Sequence, residues 1–115
     1  HIGVAVGISI GDNTLIASKV FISDHNHGSY AGEIHSHPDE NPIDRVLTSK
    51  KVTIGKNVWI GEYVAILPGI TIGDGAIIGA MSVVSRDIPA YSIAVGAPAR
   101  VIKKFDKTKS EWTSI

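Results

Sequence analysis

Two histidines separated by one residue are the first feature of this sequence that indicates chemistry. They are His25 and His27, in the stretch "FISDHNHGSY". A neutral imidazole accepts a proton near neutral pH, so either ring can act as a general base, and imidazole is also a common zinc ligand. In an extended segment, residues two apart face the same side. The pair is therefore a candidate site, and the alternative is two ordinary solvated loop histidines.

The composition excludes several classes of protein. The chain of 115 residues is long enough for one modest domain, and its 43% hydrophobic and 19% charged residues are typical of a soluble globular protein. Eleven basic side chains balance eleven acidic ones, so no footprint for nucleic acid or an anionic membrane is expected. The absence of cysteine excludes disulfides and thiolate metal sites and fits a cytoplasmic location. No apolar run approaches the roughly 20 residues of a membrane span, and no signal peptide is visible.

A six-residue repeat supplies the elements that must position the histidines. A helix would place apolar residues three and four apart, whereas a plain strand would alternate them. Here each unit has an aliphatic residue at its first position and mostly a glycine at its second, which predicts a short strand followed by a turn. Three units make a triangular coil, and stacked coils make an all-β parallel β-helix with an aliphatic core. The aliphatic residues are Val4, Ile10, Ile16, Ile22, Ile54, Ile60, Ile66, Ile72, Ile78 and Val84.

The repeat is interrupted between Ile22 and Ile54. This gap is longer than an ordinary connection between repeat units, and loops of such length usually have a function. We expect a protruding loop over about residues 23–51, leaving one corner of the β-helix. A closing segment is expected over about 89–115, with its last ten residues as a short helix or disordered. The whole chain, 1–115, is predicted to be a single β-helix domain. Because the repeat already runs at its first residues, we expect it to be the C-terminal part of a longer chain.

Four motifs together resemble the hexapeptide-repeat acetyltransferases: "NVWIG", "PGITIGD", "IGAMSVVSRDIP" and "VGAPAR". The resemblance is nearest to the maltose, galactoside and nodulation-factor O-acetyltransferases and the sugar acetyltransferases of surface-polysaccharide pathways. It covers roughly four-fifths of the chain. It implies a left-handed parallel β-helix that assembles as a homotrimer, with acetyl-coenzyme A bound between subunits. The implied reaction is O-acetylation of a sugar or saccharide acceptor.

The resemblance also implies roles for particular residues. The family's catalytic histidine follows a run similar to "IGDNTLIASKVFIS", and the match without gaps places it at His27, with His25 as the alternative. Because no cysteine can form an acyl intermediate, direct transfer with a histidine general base is the simplest route. The thioester oxygen is expected near Glu62, where the family often has a small hydroxyl residue. Only a backbone N–H donor survives that replacement.

The expected contacts to coenzyme A lie in the later repeats and the closing segment. By resemblance, Ala80 contacts the pantetheine arm beside Gly79, and Ser85 makes a second contact. Any β-helix corner would also require such a glycine. Trp59 is expected to wall the acetyl and acceptor pocket. The phosphates require cations, which are expected from Arg86, Arg100 and Lys103.

The loop and the neighbouring residues carry further expectations. Asp24 can fix the tautomer of an adjacent imidazole, although a backbone carbonyl would serve equally. His35 and His37 are expected to face solvent or the acceptor. The loop from Gly28 to Lys51 is expected to select the acceptor, because it is rich in hydrogen-bonding side chains.

Two other functions are compatible with the repeat. The γ-type carbonic anhydrases share this β-helix and bind zinc through three histidines of neighbouring subunits. In this alternative His25 and His27 are two of the zinc ligands. The third ligand would have to come from the loop, because the later repeats contain no histidine. A non-catalytic β-helix scaffold is the second alternative. Within the acyltransferases, N-acylation of a nucleotide sugar and O-acetylation of an antibiotic are further alternatives to O-acetylation of a sugar.

Overall fold

Short parallel strands joined by sharp turns form the body of the protein in a computed structural model, which describes residues 1–115. The strands of the body are only two to five residues long up to the last coil, as the six-residue period requires. The strands are β1 (Ile2–Gly3), β2 (Ile8–Ile10), β3 (Leu15–Ile16), β4 (Phe21–Ser23), β5 (His25–His27), β6 (Leu47–Ser49), β7 (Val52–Ile54), β8 (Trp59–Ile60), β9 (Ala65–Ile66), β10 (Thr71–Ile72), β11 (Ile77–Ile78), β12 (Val83–Val84), β13 (Ser92–Gly96), β14 (Ala99–Asp106) and β15 (Glu111–Ser114).

Successive strands fall in turn on three different sheets, so three strands and their turns complete one coil. The four-stranded sheet has the order β1-β4-β9-β12, the three-stranded sheet β10-β7-β2, and the six-stranded sheet β15-β14-β13-β11-β8-β3. Parallel pairing aligns Ile54 with Ile72 and Ile60 with Ile78, three repeat units further along the chain. The predicted parallel β-helix is therefore confirmed.

The core is a column of aliphatic side chains from the first and fifth positions of the repeat. Both sets point inward because the turn places them at the two ends of each short strand. The first-position residues from Ile54 to Val84 are at most 2% exposed. The fifth-position residues Val58, Val64, Ile70, Ala76, Ser82 and Ile88 are also buried. The inward-facing pattern predicted for residues 54–88 is thus confirmed.

The first coil departs from the prediction. Val4 is 58% exposed and Ile10 is 41% exposed, although the repeat predicted both as inward-facing. Ile2, rather than Val4, pairs with Ile22 in the four-stranded sheet. The physical reason is that β1, β2 and β3 are the outermost strands of their sheets, so no further coil covers the core at this end, and Val4 also lies outside β1.

Residues 24–51, called the arm, leave the β-helix directly after β4. Strands β5 and β6 pair antiparallel, with His25 opposite Ser49 and His27 opposite Leu47. A 3₁₀ helix, Pro42–Asp44, lies beyond the pair and is the chain's only helical segment. No helix is long and apolar enough to cross a membrane.

The closing segment is a meander of antiparallel strands on the end of the six-stranded sheet. Strand β14 pairs with β13 and with β15, so the helix or disorder expected for the last ten residues is wrong. The Phe105 and Trp112 rings meet edge to face, 5.2 Å apart. The Asp106 carboxylate accepts hydrogen bonds from the backbone N–H groups of Thr108 and Lys109 and closes the turn. These contacts order a tail that lacks the six-residue period.

Candidate functional site

His25 is held at the root of the arm by an adjacent carboxylate. Its Nδ1 lies 2.9 Å from Oδ1 of Asp24. An ionised carboxylate only accepts hydrogen bonds, so Nδ1 carries a proton, and in the neutral ring Nε2 keeps its lone pair. The ring lies over Gly3, where an added Cβ would be 3.2 Å from Cε1 of His25. The tautomer-fixing role expected for Asp24 therefore acts on His25.

The Asp24 carboxylate is completely buried, yet hydrogen bonds stabilise its ionised form. Backbone N–H groups of Ala5, Val6 and Gly7 each donate to its carboxylate at 2.7 Å. Burial by itself would raise the pKa of Asp24, but the hydrogen bonds from His25 and from these three N–H groups outweigh it. The net effect holds the pKa of Asp24 well below its usual range. Asp24 thereby ties the chain's first residues to the start of the arm.

His27 differs from His25 in having an exposed side chain without a hydrogen-bond partner in the chain. The two rings lie on the same side of β5, as expected, with centroids 6.2 Å apart and planes at 74°. His27 is the last residue of the β5–β6 ladder. Its carbonyl oxygen accepts a hydrogen bond from the Tyr30 hydroxyl, a contact that the sequence did not reveal.

The opposite side of the arm forms two polar clefts. Asn26 and Thr48 pair across the ladder and line both clefts, which have volumes of about 350 and 300 Å³. Tyr30 lines the first cleft, whereas Lys50 lines the second. His35 and His37 lie further out and are exposed, with His35 near the Gly32 carbonyl.

The predicted coenzyme A contacts fall into separate groups on the body. Glu62 lies in the turn between β8 and β9, and Gly79 and Ala80 lie in the matching turn between β11 and β12. These turns join the N-terminal ends of strands in the four-stranded sheet, whereas the arm leaves from the C-terminal end of β4. A single chain therefore does not bring His27 to Glu62 or Ala80.

The turn that contains Glu62 has free backbone donors. The N–H groups of Glu62 and Ala80 donate to no acceptor in the chain, whereas those of the flanking Gly61 and Gly79 bond to neighbouring coils. The coils approach closely here, because a Cβ at Gly61 would lie 2.8 Å from the backbone nitrogen of Ala80. Two unpaired N–H groups on adjacent coils can serve the amides or the thioester oxygen of an extended ligand.

The aromatic and cationic residues lie on other parts of the body. Trp59 is half exposed on the outer face of the six-stranded sheet, in register with Leu15 and Ile77. Arg100 and Lys103 lie on β14 of that sheet, opposite Val95 and Ile93. Ser85 and Arg86 follow the C-terminal end of β12, on the same side of the four-stranded sheet from which the arm leaves β4. Their expected roles stay predictions. No group of three histidine, aspartate or glutamate side chains is arranged to hold a metal ion.

Comparison with known proteins adds a family match. Residues 51–86 match the family model described as bacterial transferase hexapeptide (six repeats). The chain is 47% identical over 113 residues to the protein of Escherichia coli (strain K12) named "Putative lipopolysaccharide biosynthesis O-acetyl transferase WbbJ". That match covers 97% of this chain and 58% of the relative.

Solved structures agree with the sequence match. A galactoside acetyltransferase in complex with coenzyme A superposes with a TM-score of 0.73 at 42% identity, covering 89% of this chain and 47% of that one. AntD, an N-acyltransferase from Bacillus cereus in complex with dTDP and 3-hydroxybutyryl-CoA, superposes with a TM-score of 0.74 at 30% identity, covering 93% and 56%. The chain thus spans about half the length of these relatives. Together with the parallel sheets, these matches confirm the left-handed parallel β-helix.

Proposed function

We propose a function for a chain that belongs to the bacterial hexapeptide-repeat transferase family: transfer of an acetyl group from acetyl-coenzyme A to a hydroxyl of a sugar or saccharide. The observation that carries the proposal is the contrast between the two imidazoles at the root of the arm. His25 is held by Asp24, and His27 beside it presents a ring without a partner. A general base for the hydroxyl of a bound acceptor has to be an exposed imidazole that no other group of the chain occupies.

His27 is the proposed base. Its ring takes the proton of the acceptor hydroxyl as the hydroxyl oxygen bonds to the carbonyl carbon of the thioester. As the carbon–sulfur bond then breaks, the imidazolium returns the proton to the departing thiolate, so the products are an acetyl ester and a free thiol. Such a base contributes roughly 10²–10⁴-fold to the rate. His25, fixed by Asp24, packs beside His27 and limits the space in which its ring can turn.

The residues near the N-terminal ends of β9 and β12 suit the binding of acetyl-coenzyme A, the acetyl donor. Acetyl-coenzyme A supplies an acetyl group that is already activated as a thioester. The free N–H of Glu62 is the proposed donor to the thioester oxygen, and that of Ala80 is the proposed donor to a pantetheine amide. Gly79 leaves room for the narrow pantetheine chain, and Ser85 is a further proposed contact to coenzyme A. Arg86, Arg100 and Lys103 are the proposed partners of the phosphates.

In this proposal a homotrimer brings the arm of one subunit to the Glu62 turn of the next. His27 lies beyond the C-terminal end of β4 and Glu62 precedes the N-terminal end of β9, so the arm of one subunit has to meet the Glu62 turn of its neighbour. Exposed apolar side chains support such a seam, because Trp59, Tyr63 and Met81 are between 50% and 74% exposed on the single chain. The acceptor would then bind between the arm and Trp59.

The experiment is an acetyl-transfer assay against a panel of sugars, amino sugars and saccharides, with wild type, His27→Ala and His25→Ala. We expect His27→Ala to lose at least a hundredfold in kcat while its affinity for coenzyme A is unchanged. Selective loss in His25→Ala instead would move the base two residues earlier. Transfer only to amines would replace the O-acetyl reaction with N-acylation. A bound zinc ion or an absence of coenzyme A binding would refute the proposal, and a monodisperse monomer by light scattering would refute the shared site.

A further inference from the structure

We infer that Tyr30 and Arg45 are positioning residues for His27, an inference that rests on the proposed role of His27 as the base. The Tyr30 hydroxyl donates a hydrogen bond to the His27 carbonyl oxygen. The Arg45 guanidinium in turn donates from Nη1 to the Tyr30 hydroxyl oxygen at 2.9 Å. The three residues form one chain of hydrogen bonds that ends on the backbone of His27.

The hydrogen bond from Tyr30 lies at the end of the strand pairing, where the Gly28 N–H makes the last backbone bond, to the Val46 carbonyl oxygen at 2.8 Å. The β5–β6 ladder ends at His27, and Gly28 follows with φ of +114°, a conformation that favours glycine. Side chains continue the ladder beyond that point. Tyr30 bonds the His27 carbonyl, and the Thr48 hydroxyl donates to the Gly28 carbonyl at 2.8 Å. The peptide group between His27 and Gly28 is therefore held on its N–H side by Val46 and on its carbonyl side by the Tyr30 side chain.

Arg45 makes this arrangement rigid. Its Nη2 donates to the carbonyl oxygens of Pro38 and Glu40 at 3.0 and 2.9 Å, and its Nε donates to Glu40 at 3.2 Å. The guanidinium carbon also lies 5.9 Å from the centre of the Tyr30 ring. A planar group with five donors suits such a junction, and a lysine could not reproduce it. A cationic donor to the phenol oxygen also strengthens the bond that the phenol makes to His27.

The consequence is a specific effect on turnover. Removing the Tyr30 hydroxyl keeps the His27 imidazole but takes away the hydrogen bond on the carbonyl side of its peptide group, so that His27 can shift. Because a misplacement of about 1 Å can reduce a catalytic rate by about a hundredfold, we expect kcat to fall about ten- to a hundredfold in Tyr30→Phe. The KM for acetyl-coenzyme A and the inflection of the pH–rate profile should not move, because neither the donor site nor the imidazole is altered.

Variants of the protein test this with a matched control. Tyr91→Phe removes a hydroxyl that makes no hydrogen bond in the chain and lies outside the arm, so it should keep wild-type kcat. Arg45→Lys should reproduce the loss of Tyr30→Phe, and the double variant should be no worse than Tyr30→Phe alone, because both act through one bond. In a His27→Ala background, Tyr30→Phe should have no further effect on the residual rate. A purely structural role would lower the residual rate in that background too.

Two results would overturn the inference. One is a wild-type kcat in Tyr30→Phe while His27→Ala is inactive, which leaves the proposed function intact. The other is an equal loss from Tyr30→Phe with and without the His27 imidazole. If wild type transfers no acetyl group, NMR provides the test: the His27 ring signals should broaden or double in Tyr30→Phe and stay unchanged in Tyr91→Phe. Unchanged signals in both variants would refute the positioning role.

Discussion

The Asp24 carboxylate and the His25 imidazole form a bonded pair at the junction of the β-helix and the arm, with 2.9 Å between Oδ1 and Nδ1. The same carboxylate accepts backbone N–H groups of three consecutive residues, from Ala5 to Gly7. One buried side chain therefore joins the outermost coil, the four-stranded sheet and the arm.

This pair predicts an acid-dependent loss of stability. The hydrogen bonds hold the pKa of folded Asp24 below the value of about 3.9 that it takes in an unfolded chain. Between these two pKa values the unfolded chain binds more protons. The stability that Asp24 supplies is therefore fully present above about pH 4 and is lost as the pH falls through the folded pKa.

Asp24→Asn should remove that contribution at neutral pH. We expect the urea midpoint of the variant to be lower than that of wild type at pH 7, and the difference to shrink at pH 3 and below. Asp39→Asn is the control, because the Asp39 side chain is 93% exposed. A midpoint difference between wild type and Asp24→Asn that stays constant from pH 7 to pH 2 would contradict this explanation.

The core predicts a large loss from one truncation in the middle of the stack. Ile66 is completely buried between the inward residues Ile22 and Val84 of adjacent strands. Ile66→Ala should lower the free energy of unfolding by about 2–5 kcal/mol, measured by chemical denaturation. Ile34→Ala serves as the control, because Ile34 is 80% exposed on the arm and should change stability by no more than about 0.5 kcal/mol.

The sequence revealed the core because the coil repeats a single local rule. An inward aliphatic at one position of six is a pattern that neighbouring residues determine, so Ile54 and Ile72 are aligned without knowledge of distant contacts. The rule failed at Val4, because Ile2 takes the position opposite Ile22 and the pairing register is not determined by the local pattern. It also failed for the tail, where β15 depends on the contact between Phe105 and Trp112.

The candidate site was predictable only in part, for a similar reason. The shared side of His25 and His27 follows from strand alternation, and Asp24 is adjacent to His25 in the sequence. The link from Arg45 through Tyr30 to His27 crosses an irregular loop whose path no periodicity determines. The backbone donors to Asp24 come from residues that lie 17 to 19 positions earlier.

Close approach of the first two full coils makes Gly11 sensitive to substitution. A Cβ at Gly11 would lie 2.5 Å from both the Gly55 carbonyl carbon and the Lys56 backbone nitrogen, and these atoms cannot move independently of the coil. Gly11→Ala should therefore destabilise the fold by about 1–3 kcal/mol in thermal or chemical denaturation. At Gly7 the nearest atom would be a Lys51 side-chain carbon at 3.8 Å, so Gly7→Ala should be tolerated. Equal stability of the two variants would contradict the tight stacking.

The turn at Glu62 allows the proposed oxyanion donor to be removed without altering the turn. Tyr63 has φ of +57°, and the equivalent turn six residues later has Gly69 with φ of +82°. Pro68 precedes that glycine at the position equivalent to Glu62, so the chain itself shows that proline fits this turn. Glu62→Pro therefore deletes an N–H that has no partner in the chain.

If that N–H binds the thioester oxygen, Glu62→Pro should lower kcat by about 10²–10³-fold in the acetyl-transfer assay. Glu62→Ala should retain kcat within a few-fold, because it keeps the backbone donor and loses only an exposed carboxylate. Ser18→Pro is the matched control, since Ser18 lies at the same turn position one coil earlier and its N–H is also unpaired. Retention of wild-type kcat in both Glu62→Pro and Glu62→Ala would exclude the backbone donor. A loss in Glu62→Ala as large as that in Glu62→Pro would assign the role to the carboxylate side chain instead.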